Sequence, residues 1–412
     1  MSALFRIAWR NLLRGWRRSA VVLASIVVGL TACFGILAWT VGLGHNGIDL
    51  AVRTHLAHLA IHARGYHADS STDRRIPGDG AAVLSAVERE GLGAAAPRLV
   101  GDGLVQTARR NLSAVIVGVD AARESRVSSV PDSLVEGAYL DAAAHRWASR
   151  LPPIVVGEEM ARRLGAEVGD KLVLRVPGDA GAGAFRVRGI YRSGSSAFDR
   201  SFVYVTLADA QTLFALGNAV TEIALLLSDA ADAPQVQKRL RGLLAAEPPL
   251  EVLRWDERQP RLAQMIELMD QFSWVFYAVV FAAMAFGIAN ALLMSVYERI
   301  REFGLLRSMG LRGSRILLLV LVESFLLTGL GTGIGLGLAV PLVAWLGEVG
   351  IGMGWFSQAL GEYGFSDRIY PELRPGDFPE PIGMAAATAL LAGLWPALRA
   401  ARLRPAEALR HV

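Results

Sequence analysis

The sequence predicts an α-helical integral membrane protein: four transmembrane helices, with a large mixed α+β extracytoplasmic domain inserted between helices 1 and 2. Three observations predict it. The chain is 53% hydrophobic and only 19% charged over 412 residues, against about 25% charged in a typical soluble domain. The apolar excess is concentrated in four uncharged runs, 19–48, 271–297, 324–347 and 381–398. Each is near or beyond the roughly 20 residues a helix needs to cross a bilayer core. Between the first two runs, the stretch from 49 to 270 reads as ordinary soluble protein, long enough for a domain with its own core.

The arginines orient these segments. Arg6, Arg10, Arg14, Arg17 and Arg18 precede the first run; Arg299, Arg301, Arg307, Arg312 and Arg315 separate the second from the third; Arg399, Arg402, Arg404 and Arg410 follow the fourth. The loop at 347–380 instead carries Glu348, Glu362, Asp367, Glu372, Asp377 and Glu380 against Arg368 and Arg374. Basic residues stay cytoplasmic during insertion, so both ends and the 298–315 loop are expected inside and the large domain outside. A net charge of +4 and an isoelectric point near 9.4 therefore report topology, and no nucleic-acid partner is expected.

Taken in order, residues 1–17 place Leu4, Phe5, Ile7, Ala8, Leu12 and Leu13 among basic side chains, with Trp9 and Trp16 as interfacial anchors. They suit an amphipathic helix on the inner leaflet, or equally a cytoplasmic extension of the first span. That span covers 18–45. Leu30-Thr31-Ala32-Cys33 within it has the form of a lipoprotein cleavage site, but apolar residues continue past Cys33, so an uncleaved anchor is expected. The outer domain, 46–270, shows strand-like alternation at 56–63, 114–119, 171–176, 185–191, 202–205 and 221–227. Helix-like periodicity stands at 80–90, 157–164, 207–216 and 233–246. Leu262, Met265, Ile266 and Met269 fall at helical spacing and predict a stalk helix over 257–270 that runs unbroken into the second span, 271–297. A cytoplasmic loop fills 298–315. The third span, 316–346, tolerates one carboxylate, Glu323. The loop at 347–380 is too long for a simple turn. The fourth span, 381–398, and a cytoplasmic tail, 399–412, complete the chain.

Within the membrane, Glu323 is costly unless it has a partner. It lies eight positions after Arg315, as Asn290 lies eight before Glu298, so both sit about 12 Å inside the inner boundary at helical rise. This predicts an Asn290–Glu323 contact. Gly329, Gly333 and Gly337 repeat every four residues, the spacing for close helix packing. His55, His58 and His62 would share a helix face, but Leu59 and Ile61 between them read as a strand, so no metal site is expected. Ser195 and Ser196 lack a nucleophile elbow, and Glu158 and Glu159 diverge on a helix, so no catalytic residue is assigned. A phosphate-binding loop needs Gly-Lys-Ser/Thr; Lys171 follows Asp170 and Lys238 precedes Arg239, and neither fits.

Several stretches resemble the FtsX/MacB superfamily of ABC permeases. Residues 297–311, YERIREFGLLRSMGL, are similar to its cytoplasmic loop pattern E-R-x-x-E-x-G-x-L-R-x-x-G. The third span, with its five alternating glycines from Gly329 to Gly337, resembles the family's glycine-rich helix. Residues 395–410, WPALRAARLRPAEALR, resemble its A-x-R-x-x-P-x-x-A-L-R tail, and 156–174, VGEEMARRLGAEVGDKLVL, a segment of its outer domain. GIYRSGSSAFD at 189–199 and HLAIHARGY at 58–66 are most similar to the lipoprotein-releasing LolC and LolE branch.

The resemblance implies two permeases, identical or paralogous, on two copies of a separate ATPase that holds ATP and magnesium, so that this chain is no enzyme and binds no cofactor. It implies mechanotransmission through an amphipathic inside helix whose coupling residues are Glu298, Arg299, Glu302, Phe303, Leu306, Arg307, Met309 and Leu311, with Gly304 and Gly310 turning the chain at either end. It also implies a lipid-anchored or hydrophobic substrate, entering from the membrane lipids near Val41, Leu43, Phe272 and Phe276, and a periplasmic carrier or adaptor. Two other readings stay open: a MacB-like exporter of peptides or drugs, and an FtsX-like scaffold regulating a cell-wall hydrolase. The 347–380 loop departs from the family's short outer hairpin.

Overall fold

The apolar runs become helices because hydrocarbon offers backbone groups no other partner. In the computed structural model these are Trp16–Ala51, Pro260–Glu298, Gly313–Val349 and Pro379–Ala401, all long and apolar enough to cross a membrane. The structure describes residues 2–67, 74–76, 79–140, 151–177, 181–244, 250–352, 354 and 366–402. The chain forms two compact units, the spans with their inner-face elements and the outer domain.

In the membrane unit, Ser2–Arg14 forms its own helix, separated from the first span by a turn at Gly15. The four spans bury a common seam in which Ile26, Leu30 and Phe34 meet Met284, Ile288, Leu319 and Leu327. The glycine packing face differs from the expected one. Gly329, Gly333 and Gly337 face open space, whereas a side chain at Gly331 would press into Ile26, and one at Gly335 would stand 3.2 Å from Leu30 Cβ. The third span carries small residues in two interleaved registers, 329/333/337 and 331/335/339. Only the second is turned toward the first span, because it shares a face with buried Glu323, Leu327 and Thr328. At the inner-leaflet half, Ser324 Oγ donates to Ala389 O at 2.8 Å, tying the third span to the fourth.

The stalk differs at its start only, and from Pro260 one helix runs to Glu298. Trp255–Arg258 is a separate short helix, Gln259 leaves helical geometry at φ −123°, and the long helix restarts at Pro260. Proline suits a first helical position, where its missing N–H costs nothing. Of the 347–380 loop, the described part divides between the units. Ser366 and Asp367 bond to Gly194 of the outer domain, and Glu372 N donates to Ala38 O of the first span at 3.1 Å. Residues 353 and 355–365 lie outside the described residues, as does the tail from 403.

Among the described residues, the outer domain is built on ten strands: β1 (Leu59–Ala63), β2 (Ala94–Gln106), β3 (Asn111–Val119), β4 (Leu134–Gly137), β5 (Pro153–Gly157), β6 (Lys171–Arg175), β7 (Ala182–Tyr191), β8 (Phe202–Thr206), β9 (Glu222–Leu226) and β10 (Leu250–Arg254). Six of them close on themselves in the order β2-β3-β8-β5-β7-β6, with β6 pairing back onto β2. Closure removes free edges and encloses a core of Leu99, Ile116, Ile154, Leu172, Val187 and Val203. Of the other four, β4 pairs with β7, while β9, β1 and β10 extend in that order from β2. These three bury a second core with the helices Ala81–Arg89 and Ala233–Leu243. The long strand β2 serves both cores, its first residues pairing with β9 and its last with β6.

The packing register gives a direct test. Gly331→Leu should destabilise the full chain in lipid nanodiscs by about 1–3 kcal/mol through overpacking against Ile26, whereas Gly333→Ala should be neutral. Thermal unfolding of both variants measures this; the opposite ranking would contradict the register.

Candidate functional site

Two backbone events place a short helix at the inner ends of the spans. The second-span helix breaks at Arg299, which sits at φ −112° and ψ 17°, and a new helix runs over Ile300–Ser308. It ends in a Schellman motif: Gly310 N donates to Arg307 O and Leu311 N to Leu306 O, both at 3.0 Å. Gly310 supplies the left-handed residue this needs, at φ +88°. Leu311 packs back on the same seam as Leu306. Gly304, expected at a turn, instead lies buried inside the helix; the break upstream is made by Arg299.

The helix is two-faced. Ile300 and Phe303 are buried against the spans, and Leu306 and Leu311 pack partly against them. Leu305 and Met309 are 53% and 75% exposed, with Glu298, Arg301, Glu302 and Ser308 also outward. Leu305, not Leu306, therefore belongs with Met309 on the accessible apolar face. The helical spacing of 305 and 309 was the available signal.

Arginines lash this helix to its surroundings. Arg299 Nη1 lies 3.5 Å from Glu323 Oε2 in the third span, and its Nε donates to Glu302 Oε2 at 2.9 Å. The same guanidinium lies 4.9 Å from the centre of the Phe303 ring. Arg307 Nη1 donates to Ala401 O at 2.6 Å, capping the fourth span, and Arg14 from the N-terminal helix reaches Glu302 at 3.3 Å. Arg399 of the fourth span covers Tyr297 at 5.2 Å.

The expected Asn290–Glu323 contact is overturned. Glu323 is buried beside Arg299, while Asn290 faces outward. Equal depth was right as arithmetic but ignored direction: the buried face of the second span runs through Met284, Ile288, Leu292 and Val296. Asn290 stands about 200° around the helix from Ile288.

The other candidates are not brought together. Phe272 is 72% exposed and Leu43 is buried, with Val41 and Phe276 between these extremes. His55 lies 5.1 Å from both Phe198 and Phe202. His58 Nδ1 accepts from Leu227 N at 3.0 Å. His62 is inside the sheet, stacked on Tyr66, and burial lowers its pKa to about 4. Ser195 caps the helix Ser196–Ser201 by accepting from Phe198 N. Asp199 accepts from Ser193 N, and burial raises its pKa to about 6.

The MacB-like periplasmic core domain model matches residues 19–243, more than half the chain, and the FtsX-like permease C-terminal model matches 274–405. The chain belongs to the FtsX/MacB superfamily. Among curated relatives, the lipoprotein-releasing system transmembrane protein LolC of Neisseria meningitidis is 26% identical over 95% of this chain and 93% of that protein. LolE of Haemophilus influenzae is 23% identical over 99% of both. The macrolide export ATP-binding/permease protein MacB of Bdellovibrio bacteriovorus is 25% identical over 96% of this chain, which spans only 59% of that longer protein. This superfamily member is thus an ABC transporter permease of the LolC/LolE or MacB type, a multi-pass inner-membrane protein with a MacB-like periplasmic domain.

In this permease the Arg299–Glu323 pair should be strongly coupled. Arg299→Met, which strips Glu323 of this counter-charge, should cost about 3–5 kcal/mol. Adding Glu323→Gln should recover most of the loss. Unfolding of the two variants in nanodiscs reads the difference; additive losses would refute a direct pair.

Proposed function

We propose that this permease extracts a lipid-anchored substrate, a lipoprotein, from the outer leaflet of the inner membrane and passes it to a periplasmic carrier. Two permeases, copies or paralogues, would stand on two copies of an ATPase subunit that holds ATP and magnesium, this chain binding neither. The observation that carries the reading is the inside helix. It offers Leu305 and Met309 outward while Arg299 and Arg307 tie it to the third and fourth spans. A groove on an ATPase that gripped those two side chains would move the helix with each closure, and the ties would pass the stroke to the spans. Outward-facing Phe272 on the second span, with half-buried Phe276 one helical turn on, would supply apolar surface for an acyl chain arriving from lipid. Coverage of nearly all of LolC and LolE supports the substrate class.

The test is reconstitution with the ATPase in proteoliposomes. A triacylated lipoprotein should be released to a soluble carrier when ATP is added, and its unacylated form should not respond. Met309→Asp should lower ATPase association by about tenfold or more, since a carboxylate would be forced into the docking groove. Leu306→Asp should instead damage the permease itself. Export of an unacylated peptide or drug, with no lipoprotein release, would favour the MacB-like machine. A bound cell-wall hydrolase without transport would favour the scaffold.

A further inference from the structure

The outer end of the first span poses a hydrogen-bonding problem, because the last carbonyls of a helix have no partners within it. After Ala51 the helix widens into a π-turn, Val52–Leu56, and stops at Ala57, which adopts a positive φ of 55°. Val52 O is taken by Ala57 N at 2.9 Å. The next four carbonyls all receive donors from distant parts of the sequence. Arg53 O accepts from Ser129 N at 2.7 Å and from Ser129 Oγ at 3.2 Å. Thr54 O accepts from Ser128 Oγ and Tyr204 Oη, both at 3.2 Å. His55 O accepts from Arg98 Nη1 at 2.7 Å, and Leu56 O from Arg258 Nη1 at 2.6 Å.

The two arginines belong to one buried charge cluster. Arg98 grips Glu124 with two bonds, at 2.7 and 3.0 Å, and reaches Glu222 at 3.3 Å. Arg258 donates to the other oxygen of Glu222 at 2.6 Å. Arg98, Glu124 and Glu222 are almost entirely buried, and two positive charges balance two negative ones. Nearby His62, 3.8 Å from Glu222, is kept neutral by burial. Position gives the cluster its meaning. Arg98 is the last residue of β2 paired with β9 and the first paired with β3, so it stands where the two cores of the outer domain join. Arg258 stands two residues before the second-span helix. Single bonds at a helix end fray; charged donors on consecutive carbonyls resist being pulled off.

We propose that Arg98 and Arg258 are positioning residues that make the end of the first span a rigid drive joint, so that displacement of this helix turns the outer domain instead of fraying the helix. Glu222 holds both arginines to the task. The proposal rests on the ATP-driven reading above but not on what is carried, and its test uses no substrate.

The experiment uses the full permease–ATPase complex, with Cys33→Ala. Spin labels at His45→Cys and Arg109→Cys, both exposed positions, report the joint; separately, a fluorophore at Ser308→Cys reports the inner stroke. In otherwise native protein, ATP should change the Ser308 signal while the 45–109 distance stays single and narrow. In Arg258→Met the Ser308 response should persist and the narrow distance should be lost in the ATP-bound state, with Arg258→Lys restoring much of it. Tyr204→Phe with Ser128→Ala, which leaves the buried charges intact, should broaden the distance in the same direction and decides the matter if Arg258→Met does not insert. A 45–109 distance as narrow in these variants as in native protein overturns the joint. A Ser308 signal unchanged by ATP in native protein overturns the ATP-driven reading on which the joint rests.

Discussion

A helix end buried away from water must hand its last carbonyls, and any buried charge, to other parts of its own chain. Arginine meets that need at several points here. Arg307 reaches the end of the fourth span, and Arg299 the carboxylate of Glu323 inside the third. On the outer side Arg98 and Arg258 take the end of the first. The planar guanidinium serves this role better than an ammonium group, because one side chain can bind a carbonyl and a carboxylate at the same time.

The strength of these ties differs with burial, and so does what each can transmit. Arg14 and Glu302 meet near the solvent and contribute little to stability; their contact orients the N-terminal helix. Arg299 and Glu323 are largely withdrawn from water, where separating them is expensive. A push on the inside helix therefore travels first along Arg299 into the third span and along Arg307 into the fourth. The Ser324–Ala389 bond keeps those two spans in step. Ala8 and Leu12 of the N-terminal helix are buried in the common seam, so packing holds that helix more than the exposed pair does. Gly331 and Gly335 bring the third span close against the first.

The four long apolar helices were legible because lipid imposes a length and composition on whatever crosses it. Helices of the outer domain with clear periodicity, such as Ala81–Arg89 and Ala233–Leu243, were legible for the same kind of reason. The closed arrangement of six strands was not. It depends on one strand, β2, changing partners along its length, and alternation says nothing about partners. The glycine register was ambiguous because both phases of the third span carry small residues at the required spacing. The partner of Glu323 was missed because depth alone was compared, without asking which way Asn290 points. Of the inside helix, its two-faced pattern could be read, but the choice of Leu305 over Leu306 as exposed depended on where Arg299 breaks the chain.

The inside helix as the point of contact with the ATPase is tested most directly by placing a photoreactive amino acid at Leu305 or Met309 in the native complex, with Leu391 on the fourth span, also exposed, as control. Illumination should join the first two positions to the ATPase subunit, in a yield that changes with bound nucleotide, and should join Leu391 to lipid or to the second permease. Crosslinks from Leu305 and Met309 that reach only lipid or permease, while the ATPase remains bound, would contradict it.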